Sequence, residues 1–187
     1  MANPEVLLDR ENRILRFAGE VNLENMNDII SYLEELNREE PRDDIDFYIT
    51  SRGGLVDGLL PIYDIIKSLD CKVSTIGLGV CMSAGAVLLA SGTGTRKAYP
   101  HTRIMLHHLS YFKSGDILDH KNLVDEHDRL NETLIEILAK ESGQNEERVK
   151  EDLDRDFYLS AEEAKGYGLI DYVVQPKHTA KYGVKTE

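Results

Sequence analysis

The sequence predicts one α/β domain spanning residues 1–187, built on a mostly parallel sheet. Three observations carry this prediction. Short runs of strand-forming residues alternate with helical periodicities through the first half of the chain, which is how parallel β-α units read. The 187 residues, 41% of them apolar, suffice for one sizeable core. No linker, fixed-period repeat or low-complexity segment divides them.

Arg13 to Ala18 alternates weakly and ends at Gly19, which predicts the first strand. Asn22 caps the helix that follows, with Leu23, Met26, Ile30 and Leu33 at helical spacing. Pro41 and the Asp43-Asp44 pair end it. Ile45, Phe47 and Ile49 alternate inward along a strand from Ile45 to Thr50, and Ser51-Arg-Gly-Gly54 is a tight loop. Val56 to Leu69 is a helix with Leu59, Ile62, Ile66 and Leu69 inward; Pro61 either kinks it or moves its start later. Val73 to Gly77 is a strand, followed by a tight glycine turn and a buried helix from Ser83 to Ala90. Arg103 to His108 is a strand.

A long helix runs from Gly115 to about Lys140, with Leu118, Leu123, His127, Leu130, Leu134 and Leu138 near one stripe. It is too long for a simple crossover and reads as an arm that packs on another subunit. Gln144 to Asp152 is a short polar helix and Phe157 to Leu159 a short strand. Ser160-Ala-Glu-Glu163 is a capping box opening a helix that ends at Gly166 or Gly168. Leu169 to Val174 is the last strand, and the tail from Gln175 is polar.

Lys+Arg total 22 against 34 Asp+Glu, a net charge of -12. Such a surface disfavours nucleic acid and anionic membranes as partners. No stretch approaches the roughly 20 apolar residues of a membrane span, and the N-terminus lacks the pattern of a signal peptide. Cys71 and Cys81 make no disulfide framework and have no metal-ligand spacing. The expectation is buried free thiols in a reducing, cytoplasmic setting.

The most informative stretch is Gly79-Val-Cys-Met-Ser83-Ala-Gly-Ala-Val-Leu-Leu-Ala90. A serine between a β-type run and a buried helix lies beside unpaired backbone N–H groups and the positive end of the helix dipole. Those conditions favour an activated nucleophile. Taken alone, a plain N-cap explains Ser83 equally well. His107 ends the strand from Arg103, where α/β proteins gather ligand-facing groups. His108 points to the opposite face. Asp154 and Asp156 precede the Phe157 strand, and an acid in that turn can orient a histidine. Gly53-Gly54 ends a strand, so its backbone N–H groups can face a site. The order Ser…His…Asp and the absence of Gly-x-Ser-x-Gly exclude an α/β-hydrolase by motif.

Three blocks taken together resemble ClpP, the proteolytic subunit of the Clp protease. They are residues 79–86, Arg103-Ile-Met-Leu-His107, and Asp154-Arg-Asp156 with Leu159-Ser-Ala161 and Tyr167-Gly-Leu-Ile-Asp171. The resemblance runs in order from about Arg13 to Val174. It implies a crotonase-like fold, with a head domain of repeated β-α units and a handle helix at about 115–140. It implies a cofactor-free serine endopeptidase, with Ser83 as nucleophile, His107 as base and Asp156 as orienting acid. The Gly54 and Ala84 amides would form the oxyanion hole. It further implies stacked heptameric rings that enclose polypeptide substrates and work with an AAA+ unfoldase. Two other readings are an acyl-CoA enzyme of the crotonase type and an inactive ring subunit.

The chain departs from the family at four places. Arg52 replaces a proline, Ala84 a methionine, and His108-Leu109 a Gln-Pro pair. Asp46 stands where an aromatic residue of the unfoldase-docking pocket is usual. With the short segment before Arg13, this last change implies weak coupling to the usual Clp unfoldases.

Overall fold

The computed structural model of the protein describes residues 5–109 and 120–175. Its centre is a parallel sheet. β2 (Ile14–Ala18), β3 (Ile45–Ser51), β4 (Val73–Met82), β5 (Arg96–Ala98) and β8 (Tyr172–Val173) pair side by side in that order, and β1 (Val6–Asp9) closes the β2 edge antiparallel. Strand β4 forks the sheet. Its first half, Thr75 to Gly77, pairs with β5, and its second half, Val80 to Met82, pairs with β6 (Arg103–Leu106). Strand β7 (Phe157–Leu159) then pairs antiparallel with β6.

Local chemistry explains the helices. In α1 (Leu23–Glu39), the Asn22 side chain accepts the Asn25 N–H at 2.8 Å, satisfying one of the orphan donors of the first turn. α2 (Val56–Ser68) begins at Val56 with Pro61 inside it, so the proline does not delay its start. α3 (Ala84–Ala90) is buried along its whole length. α5 (Glu146–Asp152) follows the long helix α4 (His120–Ser142). α6 (Ala161–Tyr167) has the complete reciprocal capping box of Ser160 and Glu163 and ends at Gly168 in the left-handed conformation. The core lies between the sheet and α1 to α3, with Phe17, Phe47, Ile49, Ile62 and Leu88 among its fully buried side chains.

Several expectations need correction. β1 and β5 carry too few residues for a pattern to reveal them, and β1 lies in the segment taken to precede the first strand. The glycine turn after Gly77 does not exist: β4 continues to Met82, with Gly79 at φ 73° inside it. The inward row of α1 is Asn25, Ile29, Leu33 and Leu36, while Leu23 is exposed. β6 stops at Leu106, and β8 is shorter than the run that announced it.

The long helix ends at Ser142, two residues beyond Lys140. Its expected first residues, 115–119, lie outside the described part, as does the tail beyond Gln175. The apolar stripe has two characters. Leu134, Ile135, Leu138 and Ala139 are buried in the core, whereas Leu123 and Val124 are exposed. The buried end is anchored by polar ties. Tyr63 Oη and Lys67 Nζ of α2 donate to the Glu141 carboxylate at 2.7 and 2.8 Å. Arg96 Nη1 donates to the Glu141 carbonyl at 2.7 Å, while its Nη2 pairs with Asp171 at 2.7 Å. Burial raises the Asp171 pKa, but hydrogen bonds from Arg96 outweigh it and hold the carboxyl below its ordinary value. Among the described residues no helix is long and apolar enough to cross a membrane.

Candidate active site

Ser83 is the N-cap of α3, but its side chain makes no capping hydrogen bond. Its backbone stands at φ 52°, ψ −124°, in a region that non-glycine residues rarely enter and that costs on the order of 1–3 kcal/mol. That conformation turns the chain from strand to helix within one residue. Ser83 N–H donates to the Met105 carbonyl of β6 at 2.7 Å, and the Ser83 carbonyl accepts from Ala86 and Val87. The backbone is therefore held on both sides, while the hydroxyl has no hydrogen-bond partner among the described residues. A cap explanation of Ser83 leaves this free hydroxyl unaccounted for.

Sheet register brings the other candidates near. Met82 pairs with Met105, and Met105 with Tyr158. Leu106 pairs with Phe157, so His107 directly follows, and Asp156 directly precedes, the last paired residues of these two strands; beyond them the pairing leaves that register, with His108 N–H donating to the Leu153 carbonyl at 3.3 Å. Asp154 belongs elsewhere, in the turn after α5, where it borders a cleft together with His108. Asp156 is exposed and His107 half-buried. No hydrogen bond joins Ser83, His107 and Asp156 among the described residues, and catalytic contacts often tighten only once substrate binds.

The Gly53-Gly54 loop lies against the serine. Both residues have positive φ, 107° and 150°. A Cβ on Gly53 would stand 2.7 Å from Ser83 Cβ. Gly54 bridges to Val21: Val21 N–H donates to the Gly53 carbonyl at 2.8 Å, and Leu55 N–H donates to the Val21 carbonyl at 2.7 Å. That pattern leaves the Gly54 N–H unengaged among the described residues, and the Ala84 N–H at the start of α3 is unengaged as well. Alongside the loop runs a groove of about 590 Å³, bounded by residues 18–20, residues 50–54 and Val80.

With this geometry in hand, the chain matches the Clp protease family over residues 5–177. It belongs to that family. Membership makes it a peptidase of the ClpP type, and the mixed α/β architecture is that of the Clp protease fold. Cys81 beside the site of this Clp protease is not a rival nucleophile: burial pushes its thiol up to about 12. Cys71 is likewise buried and free.

Two supporting residues escaped the sequence reading. Ser51 is buried, and its Oγ accepts the Gly53 N–H at 3.1 Å, which fixes the glycine loop; a serine two residues before Gly53 was the available signal. Asn131 on α4 contacts both His108 and Leu109. Nothing along the chain ties a helix position to residues some twenty places upstream.

Proposed function

We propose that the protein is a serine endopeptidase that hydrolyses unfolded polypeptides or short peptides inside a chamber of stacked rings. The observation that supports this most is the strained, uncapped Ser83 beside two unengaged amides, with His107 and Asp156 flanking the last β6–β7 pair, Leu106 with Phe157. Ser83 Oγ attacks the scissile carbonyl carbon while His107 takes its proton. His107 then gives that proton to the leaving amine, and water repeats the cycle to release the acyl group. Asp156 holds the imidazole in the tautomer that can accept. The Gly54 and Ala84 N–H groups stabilise the oxyanion. Every proton is accounted for without a metal or organic cofactor. Buried free thiols suit a cytoplasmic setting, and residues 1–187 act as one domain.

A fluorophosphonate probe tests the reading together with turnover of a fluorogenic peptide. Covalent labelling at Ser83 with peptide turnover is the expected result. Absence of both points to an inactive ring subunit, and acyl-CoA turnover without labelling points to a crotonase.

The ring proposal rests on the exposed end of α4. Leu123→Asp combined with Val124→Asp places two charges on exposed side chains outside the subunit's core. The native mass of the assembly is expected to fall, while the melting temperature of the subunit stays within a few degrees. An unchanged mass would remove α4 from the ring contact. Leu134 does not make this test, because it is buried in the subunit's own core.

Coupling to Clp unfoldases is expected to be weak. Asp46 and Tyr48 share one half-exposed face of β3, and the Arg16 guanidinium lies 4.3 Å from the Tyr48 ring centre. An apolar docking segment must displace that cation and desolvate a carboxylate. Degradation of a folded, tagged protein by the chain plus a Clp ATPase and ATP is the check, and efficient degradation refutes the expectation.

A further inference from the structure

We propose that Asn131 is a positioning residue for the His107 imidazole, acting through a clasp between α4 and residues 108 and 109; the proposal rests on the Ser83–His107 reading above. The last ladder pair before His107 is Leu106 with Phe157, so the placement of His107 depends on what holds the residues after it. His108 N–H donates to the Leu153 carbonyl at 3.3 Å. Leu109 N–H donates to Asn131 Oδ1 at 3.3 Å. Asn131 Nδ2 lies 2.8 Å from His108 Nδ1. His127 Nε2, one turn earlier on α4, lies 3.1 Å from the Leu109 carbonyl.

These contacts determine one another. Leu109 N–H needs an acceptor, so Oδ1 faces it, and the Asn131 amide also meets His108 Nδ1, with Nδ2 at 2.8 Å and Oδ1 at 3.2 Å; which of the two donates follows the tautomer of His108. The His127 ring nitrogen donates to the Leu109 carbonyl. Both backbone polar groups of Leu109 are thus held by one face of α4. A proline at 109, usual in the Clp protease family, has no N–H to give, so this clasp follows from the chain's own His108-Leu109 pair. It fixes the backbone directly after His107. An imidazole that must meet a serine within hydrogen-bond reach is sensitive to shifts of about 1 Å.

The experiment uses the full-length assembled enzyme. Asn131→Leu is expected to lower kcat about 10- to 100-fold, with KM within about twofold and the native mass unchanged. The rate of fluorophosphonate labelling at Ser83 should fall by the same factor. Asn131→Asp keeps an acceptor for Leu109 and accepts from the other tautomer of His108, so it should recover most of the rate. In a His107→Ala background, Asn131→Leu should add nothing to the loss, because its effect runs through the missing ring. If Asn131→Leu disturbs assembly, His108→Ala carries the test, since it removes the Asn131–His108 contact without altering α4 and should lower kcat by a smaller factor. A wild-type kcat in the clasp-opening variant overturns the proposal. So does equal loss in the Leu and Asp variants, or a further loss on the His107→Ala background. Wild-type labelling and turnover by His107→Ala itself would overturn the reading beneath it.

Discussion

Ser83→Ala is expected to abolish turnover of a fluorogenic peptide, by roughly 10⁴-fold or more, while leaving the fold and the assembly intact. The kinetic side follows from losing a nucleophile that works as a unit with its base. The stability side comes from the structure. The hydroxyl has no hydrogen-bond partner among the described residues, so its removal leaves no buried group unsatisfied. Alanine at φ 52° carries the same backbone strain as serine, so the substitution neither adds nor relieves any. The melting temperature should therefore stay within a few degrees of wild type, and circular dichroism should be unchanged. Turnover within a few-fold of wild type would remove Ser83 from the chemistry. A large drop in stability would mean that the hydroxyl has a structural partner after all.

Gly54→Ala is expected to cost both activity and stability. A Cβ there would stand 2.1 Å from the Val21 carbonyl oxygen, which is backbone and has little room to give. The residue also stands at φ 150°, where an L side chain is strained. The loop must move, and the Gly54 N–H moves with it. Loss of one oxyanion donor lowers kcat by about 10²–10³-fold in other enzymes, and a loss in that range is expected here. A fall in melting temperature should accompany it. Gly166→Ala is the matched control, because a Cβ there meets nothing within 4 Å. Peptide turnover and thermal unfolding of both variants decide the matter. Near wild-type turnover by Gly54→Ala would show that its amide is not an oxyanion donor.

Sequence patterns revealed the elements whose chemistry is local. Asn22 and Ser160 announced their helices because a cap is written within four residues, and Ile45, Phe47 and Ile49 announced β3 by strict alternation. The failures share a cause. β1 and β5 exist because a neighbouring strand pairs with them, and four or three residues carry too little pattern of their own. β4 runs on through Gly77 and Gly79 because two different partners hold its two halves, which overrides the tendency of glycine to end a strand. The candidate site divides in the same way. Ser83 and His107 stood out by their places at the end of strand-like runs. Residue patterns left Asp154 and Asp156 open and only the family resemblance named Asp156, whose place just before the β7 pair with β6 depends on strand pairing, and the part of Asn131 depends on where α4 folds back. Both are relations between distant segments, which no short window contains.

The division of α4 into a covered half and a bare half has a thermodynamic consequence. A helix of roughly a dozen residues without tertiary contacts is marginal in water. In a lone subunit the segment from Asn122 to Leu130, with Leu123 and Val124 facing solvent, has little besides its own backbone bonds, the Arg129–Glu126 pair and the His127–Leu109 contact to keep it wound. A neighbour that buries those side chains supplies the missing free energy, so winding of the arm becomes linked to protein concentration. His127 lies in this half and Asn131 just beyond it, next to buried Leu134. In the proposed ring, unwinding that spreads from the bare end would reach Leu109 before it reaches the core, so dilution would act on the segment after His107 without unfolding the domain.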